Sequence, residues 1–235
     1  MNRYTLYWDI TPTTDAEYML TIPPFEVKVQ GNRLALTASV DPKDERELRK
    51  QADQVARIWA RSLTYEHEER HEVAYTGDLV IDPTGQRRLS ATAQIIVKAV
   101  ISPSDVRKVE RKREAALARA ADFTRRAILN SGLRDMLDHW YRYIADPDGR
   151  LHPLYDVLQV VERIYGGRKK AASALNMSEA ELNDLGHISN DPTVLNGRHP
   201  GKSPGPHRIA SEAEVATCER VAKAIIEKYA SQVVI

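Results

Sequence analysis

The chain has 235 residues, 42% hydrophobic and 29% charged, which is enough apolar material for a packed core and excludes global disorder. Its 34 basic and 33 acidic residues nearly cancel, so net charge points to no partner. One cysteine, Cys218, excludes an intrachain disulfide framework or a Cys-based zinc site, and no apolar run reaches the ~18 residues of a membrane span. The opening MNRYTLYWDI lacks a signal-peptide core. The expectation is a cytoplasmic protein with no membrane partner, of one large domain or two small ones.

The first hundred residues favour strands. Phe25, Val27 and Val29 alternate with polar residues, as do Leu34, Leu36, Ala38 and Val40, and Gly31 and Asn32 between them are a hairpin signal. A second hairpin is expected from 73–81 and 89–101 around the turn Asp82-Pro83-Thr84-Gly85. Residues 4–10 and 18–22 read as further strands. One long helix separates the hairpins. Asp41 is its expected cap, Pro42 its first residue, and Leu48, Ala52, Val55, Trp59 and Leu63 line one face.

From Ser102-Pro103 onward the period is helical. A run to about residue 144 is expected, with a break at Asn130-Ser131-Gly132. Residues 105–126 hold eight basic and four acidic side chains, read first as a solvated face and second as a nucleic-acid contact. Asp146-Pro147-Asp148-Gly149 is a turn, and a helix over 153–165 stops at Gly166-Gly167. A short helix follows over 169–175. Two more begin at the capping boxes Ser178-Glu181 and Ser211-Glu214. The last carries Val215, Cys218, Ala222, Ile225 and Tyr229 inward, which makes Cys218 a core filler. Neither an internal repeat nor a low-complexity segment is evident.

The fold class expected is therefore α+β: a β-rich sheet with one long helix over 1–101, then an all-α bundle over 102–235.

Three stretches carry candidate chemistry. His67-Glu68-Glu69-Arg70-His71 has the HExxH spacing of zinc peptidases, but its inner positions are charged and it falls where a helix gives way to a strand. A charged helix end is expected there, and no metal site. Residues 169–185 resemble part of a helix-turn-helix. The second helix opens Glu179, Ala180, Glu181, which repels phosphate, so two packed bundle helices are the better reading and a DNA-binding regulator the weaker one.

The third stretch, NGRHPGKSPGPHR over 196–208, lies between two helices that its glycines and prolines keep apart. Arg198 is a permanent cation, while His199 and His207 are of the type that titrates near neutrality. In metal-free RNA cleavage a 2′-hydroxyl attacks the adjacent phosphate. A histidine can take or give the proton, and an arginine can hold the developing charge by paired hydrogen bonds. A solvated surface loop has the same composition, so both readings stand at this point.

The helical half, its Arg-His loop and the closing helix begun by an acidic capping box together resemble the HEPN superfamily. The nearest members in style are C-terminal domains of bacterial antiphage and other conflict-system proteins. The resemblance spans about the last 130 residues. It implies a metal-independent endoribonuclease without cofactor, working as a homodimer whose loops meet. Arg198 would be the motif arginine, His199 the polar residue after it, and His207 the distal histidine. Eight residues separate Arg198 from His207, a longer spacer than the family's usual one; four separate Lys202 from His207, but with lysine for arginine. On this reading Arg198, His199 and His207 are catalytic, and Arg107, Lys108, Arg111, Lys112, Lys202 and Arg208 contact RNA. The β-rich part senses or binds a protein partner, and the setting is prokaryotic defence. Some members of the family are inactive, so the alternative is a non-catalytic nucleotide-binding or protein-interaction and dimerisation module.

Overall fold

The structure, a computed structural model, describes residues 1–11, 17–91, 106–146, 148–199 and 206–234; of residues 91 and 106–114 it describes the backbone alone. The fold class is α+β: six strands in one antiparallel sheet and seven α-helices among the described residues. Two compact units divide at Arg125 and Arg126, inside a helix. The boundary expected near residue 101 lies outside the described residues.

In the first unit the strands β1 (Asn2–Thr11), β2 (Glu17–Ile22), β3 (Phe25–Gln30), β4 (Arg33–Val40), β5 (Glu72–Ile81) and β6 (Arg87–Ala91) lie in the order β2-β3-β4-β1-β5-β6. Gly31, with φ of +60°, makes the tight turn between β3 and β4. Strand alternation sends Tyr4, Leu6, Trp8 and Ile10 of β1, and Leu34, Leu36 and Ala38 of β4, into the core. The helix α1 (Glu45–His67) covers that face with Leu48, Ala52, Val55, Trp59 and Leu63, all buried as their spacing predicts. Asp41 does not cap α1 itself. It caps the 3₁₀ turn Pro42–Asp44 ahead of it, where Pro42 sits at the start and Asp44 N–H bonds back to Asp41. The second hairpin is described to Ala91, so the part of the expected strand over 92–101 lies outside the described residues.

The helix α2 (Val106–Leu129) holds the charged run; the helix start expected at Ser102-Pro103 lies outside the described residues. Its portion in the first unit packs on the end of α1. Thr124 Oγ1 donates to buried Ser62 Oγ at 3.0 Å, the Phe123 and Tyr65 rings lie 4.9 Å apart, and Arg119 pairs with Glu66 at 2.5 Å.

The second unit contains α3 (Ser131–Ala145), α4 (His152–Tyr165), α5 (Arg168–Ala174), α6 (Glu179–Asn190) and α7 (Glu212–Gln232). Asn130 ends the preceding helix and caps α3, its Oδ1 accepting from Leu133 N–H. Gly132 lets that turn sit close: a Cβ there would lie 2.7 Å from Ile164 Cδ1 and 2.8 Å from the Tyr229 hydroxyl oxygen. The centre of the bundle is α4, whose Leu154, Val157, Leu158 and Val161 are buried against α3, α5, α6 and α7. Cys218, Val221, Ala222, Ile225 and Ile226 of α7 complete this core. Both expected capping boxes are formed, at Ser178-Glu181 and Ser211-Glu214. Among the described residues no helix is long and apolar enough to cross a membrane.

Candidate functional site

The connection between α6 and α7 is built from its base upward. Where α6 ends, Asp191 Oδ1 accepts from the Thr193 N–H at 2.9 Å and its hydroxyl at 2.7 Å, closing a side-chain turn. Val194, fully buried, then pairs with Arg208 in a short parallel bridge. Leu195 N–H donates to Arg208 O at 2.8 Å and Arg208 N–H to Thr193 O at 3.0 Å, so the two ends of the loop are joined.

Asn196 is the second fastening. Its backbone carbonyl accepts from Leu151 N–H at 2.7 Å, its Oδ1 accepts from Ala210 N–H at 2.9 Å, and its Nδ2 donates to Gly149 O at 3.3 Å. One buried amide thus ties both arms of the loop to the entrance of α4. Gly197 follows in a tight place, since a Cβ would stand 3.0 Å from Val194 O and 3.1 Å from Ser189 O. Arg208 is held by Glu214 at 2.6 and 2.8 Å and by Asp191 at 3.4 Å. The Arg208 guanidinium and the Ser211 amide pull the Glu214 carboxyl down to about 2, and Thr193 and then Arg208 hold Asp191 below the ordinary range.

The sequence-predicted site residues separate on this frame. Arg198 donates its backbone N–H to Ser189 O at 2.7 Å, and its guanidinium carbon lies 4.7 Å over the Tyr155 ring of α4. His199 is half-buried beside it, and His207 is exposed at the other arm. Lys202 lies outside the described residues. Arg208, expected to contact RNA, is engaged by its two carboxylates. Arg107, Lys108, Arg111 and Lys112 stand on the first turns of α2, with only their backbone described.

The HExxH stretch is not a continuous helical face. His67 ends α1, Glu68 turns left-handed with φ of 54°, and His71 stands just ahead of β5. His71 is buried with Nδ1 2.7 Å from Glu69 O, and burial lowers its pKa. Among the described residues no group of three or more His, Cys, Asp or Glu side chains is arranged to hold a metal ion. The helix pair of 169–185 forms as α5 and α6, and α6 opens with Glu179 and Glu181. Arg168, at the start of α5, is turned inward to Glu162 at 2.5 Å and Asn183 at 3.0 Å.

Sequence reasoning missed one constellation. His139 of α3 and His152 of α4 flank the Asp156 carboxylate: His139 Nδ1 is 3.6 Å from Oδ2 and His152 Nε2 is 3.3 Å from Oδ1. His152 and Asp156 have helical i, i+4 spacing, a signal that was readable. His139 joins them only through the packing of α3 on α4. Tyr155, the ring beneath Arg198, precedes Asp156 in the same turn. Comparisons of the chain with protein-family models, with curated proteins and with solved structures found no match.

Proposed function

We propose that the helical unit is a HEPN-like, metal-independent endoribonuclease that works as an RNA-targeting effector in prokaryotic defence. One observation carries the reading: the α6–α7 connection is tied shut at its base, and the closed loop bears Arg198, His199 and His207, with Arg198 seated on Tyr155. A cation fixed in this way has less freedom to lose when it meets a phosphate, which is what transition-state stabilisation requires of it. Arg198 holds the charge that develops on phosphorus, His207 serves as acid or base, and His199 orients or assists. The basic residues Arg107, Lys108, Arg111 and Lys112 attract RNA electrostatically, an attraction that weakens with salt. The unit acts as a homodimer, and the first unit senses a signal or binds a protein partner.

A second reading, a non-catalytic nucleotide-binding or dimerisation module, is favoured by one contact. Arg208 is taken up by Glu214 and Asp191, so this cation of the loop serves closure and not a phosphate. The two readings separate in an RNA-cleavage assay without metal, using wild type, Arg198→Ala and His207→Ala. Cleavage by wild type that falls at least ~100-fold in each variant supports the nuclease. Equal cleavage in all three, or none by wild type on a range of RNAs, refutes it.

A further inference from the structure

The trio on α3 and α4 lies outside the loop, yet two of its members share a helical turn with the loop's anchor, Tyr155. His152, Tyr155 and Asp156 stand at i, i+3 and i+4, the spacing that stacks side chains on one face of a helix. Tyr155 carries the Arg198 guanidinium, and Asp156 Oδ1 lies 3.3 Å from His152 Nε2. The start of α4 therefore brings together a seated cation and an imidazole beside a carboxylate.

Each part has a distinct environment. Asp156 is four-fifths buried, and His152 is half-exposed. Its Nε2 lies 3.3 Å from Asp156 Oδ1; in the Nε2–H tautomer its lone pair is on Nδ1. His139 is different. Its Nδ1 is buried and makes no hydrogen bond, and burial lowers its pKa. Asp156, Asp135 and Asp138 oppose that shift, while Arg142 adds to it. A neutral His139 does not cancel the Asp156 charge, which stays available to His152. No side chain caps α4, where Leu151 occupies the cap position and Pro153 carries no N–H, so the His152 and Leu154 amides are not claimed by a capping side chain.

We propose that His152 is the general base of the loop site, with Asp156 its positioning residue and a phosphodiester of single-stranded RNA its substrate. This rests on the nuclease reading and divides the proton work between two histidines. The 2′-hydroxyl gives its proton to His152 Nδ1 as its oxygen bonds to phosphorus. The bond from phosphorus to the 5′-oxygen breaks, and His207 gives that leaving oxygen a proton. The products are a 2′,3′-cyclic phosphate and a 5′-hydroxyl, and no oxidant, reductant or metal enters the balance. Arg198, seated on Tyr155, the residue before Asp156, faces the pentavalent phosphorus.

The test uses the full chain in EDTA with a labelled single-stranded RNA. Cleavage is read as kcat/KM from pH 5 to 9, and RNA affinity by fluorescence anisotropy. His152→Ala lowers cleavage at least ~100-fold, leaves affinity within about twofold and removes the acidic limb of the pH profile. Asp156→Asn keeps the shape of the side chain and removes the carboxylate beside Nε2. It lowers kcat/KM while RNA affinity stays within about twofold, and the His152 ring 15N signals lose their preference for the Nε2–H tautomer. The NMR measurement stands even if a variant loses stability. Wild-type cleavage with His152→Ala still active and its acidic limb intact overturns the assignment while the loop reading stands. Wild type that cleaves nothing overturns both, and an unchanged His152 tautomer signature in Asp156→Asn overturns the positioning role of Asp156.

Discussion

Asn196→Ala is the most informative perturbation of the loop. Asn196 is 9% exposed and Ala210, whose N–H it accepts, is 8% exposed, so no water replaces the lost partner at full strength. Orphaning a buried N–H costs about 1–3 kcal/mol, and the longer bond to Gly149 adds about 0.5 kcal/mol at most. Together they put the penalty at about 2 kcal/mol. For a unit of this size, that lowers Tm by roughly 10 °C if loop closure and bundle unfolding are coupled. Thermal unfolding by circular dichroism measures the global effect, and amide exchange at Ala210 measures the local one. The expectation is a lower Tm and faster exchange at Ala210. A Tm within about 2 °C of wild type together with unchanged Ala210 protection refutes the claim that Asn196 fastens the loop.

Two further outcomes follow from the same unit. Cys218 is fully buried and its thiol is pushed up to about 11, first by burial, so it should resist alkylation in the native state and react at the unfolding rate or in denaturant. Rapid labelling of the native protein, followed by mass spectrometry, would contradict this. Glu214 has its pKa depressed from 4.5 to about 2, chiefly by Arg208; a depressed carboxylate adds stability above its unfolded value and loses it as pH falls through its folded one. The Tm difference between wild type and Arg208→Gln should therefore be present above pH 4.5 and vanish towards pH 2, with a size limited by the exposure of the pair. A difference that does not change over that range would remove the ion pair from the account.

Local rules made most of the elements legible. The stripe Leu48, Ala52, Val55, Trp59 and Leu63 is buried as its spacing requires, and Ser178 and Ser211 form their capping boxes because each has glutamate three residues on. Asp41 shows where such rules stop: proline at the next position favours a tight 3₁₀ turn, so the cap serves that turn and not the long helix. The loop could be located from Gly and Pro alone, but its construction could not. That Asn196 would reach Ala210, that Arg208 would be spent on Glu214, and that Tyr155 would lie beneath Arg198 are matters of how distant helix ends meet. His139 was invisible for the same reason, since its partner is on another helix.

RNA cleavage by the 2′-hydroxyl route at the loop between α6 and α7, as proposed above, leaves a chemical signature on its products. The most direct measurement is end-group analysis of single-stranded RNA incubated in EDTA with wild type and with Arg198→Ala. The account predicts 2′,3′-cyclic phosphate and 5′-hydroxyl ends from wild type, and their loss from the variant. Intact RNA in the wild-type reaction, or the same ends formed as fast by Arg198→Ala, would contradict it.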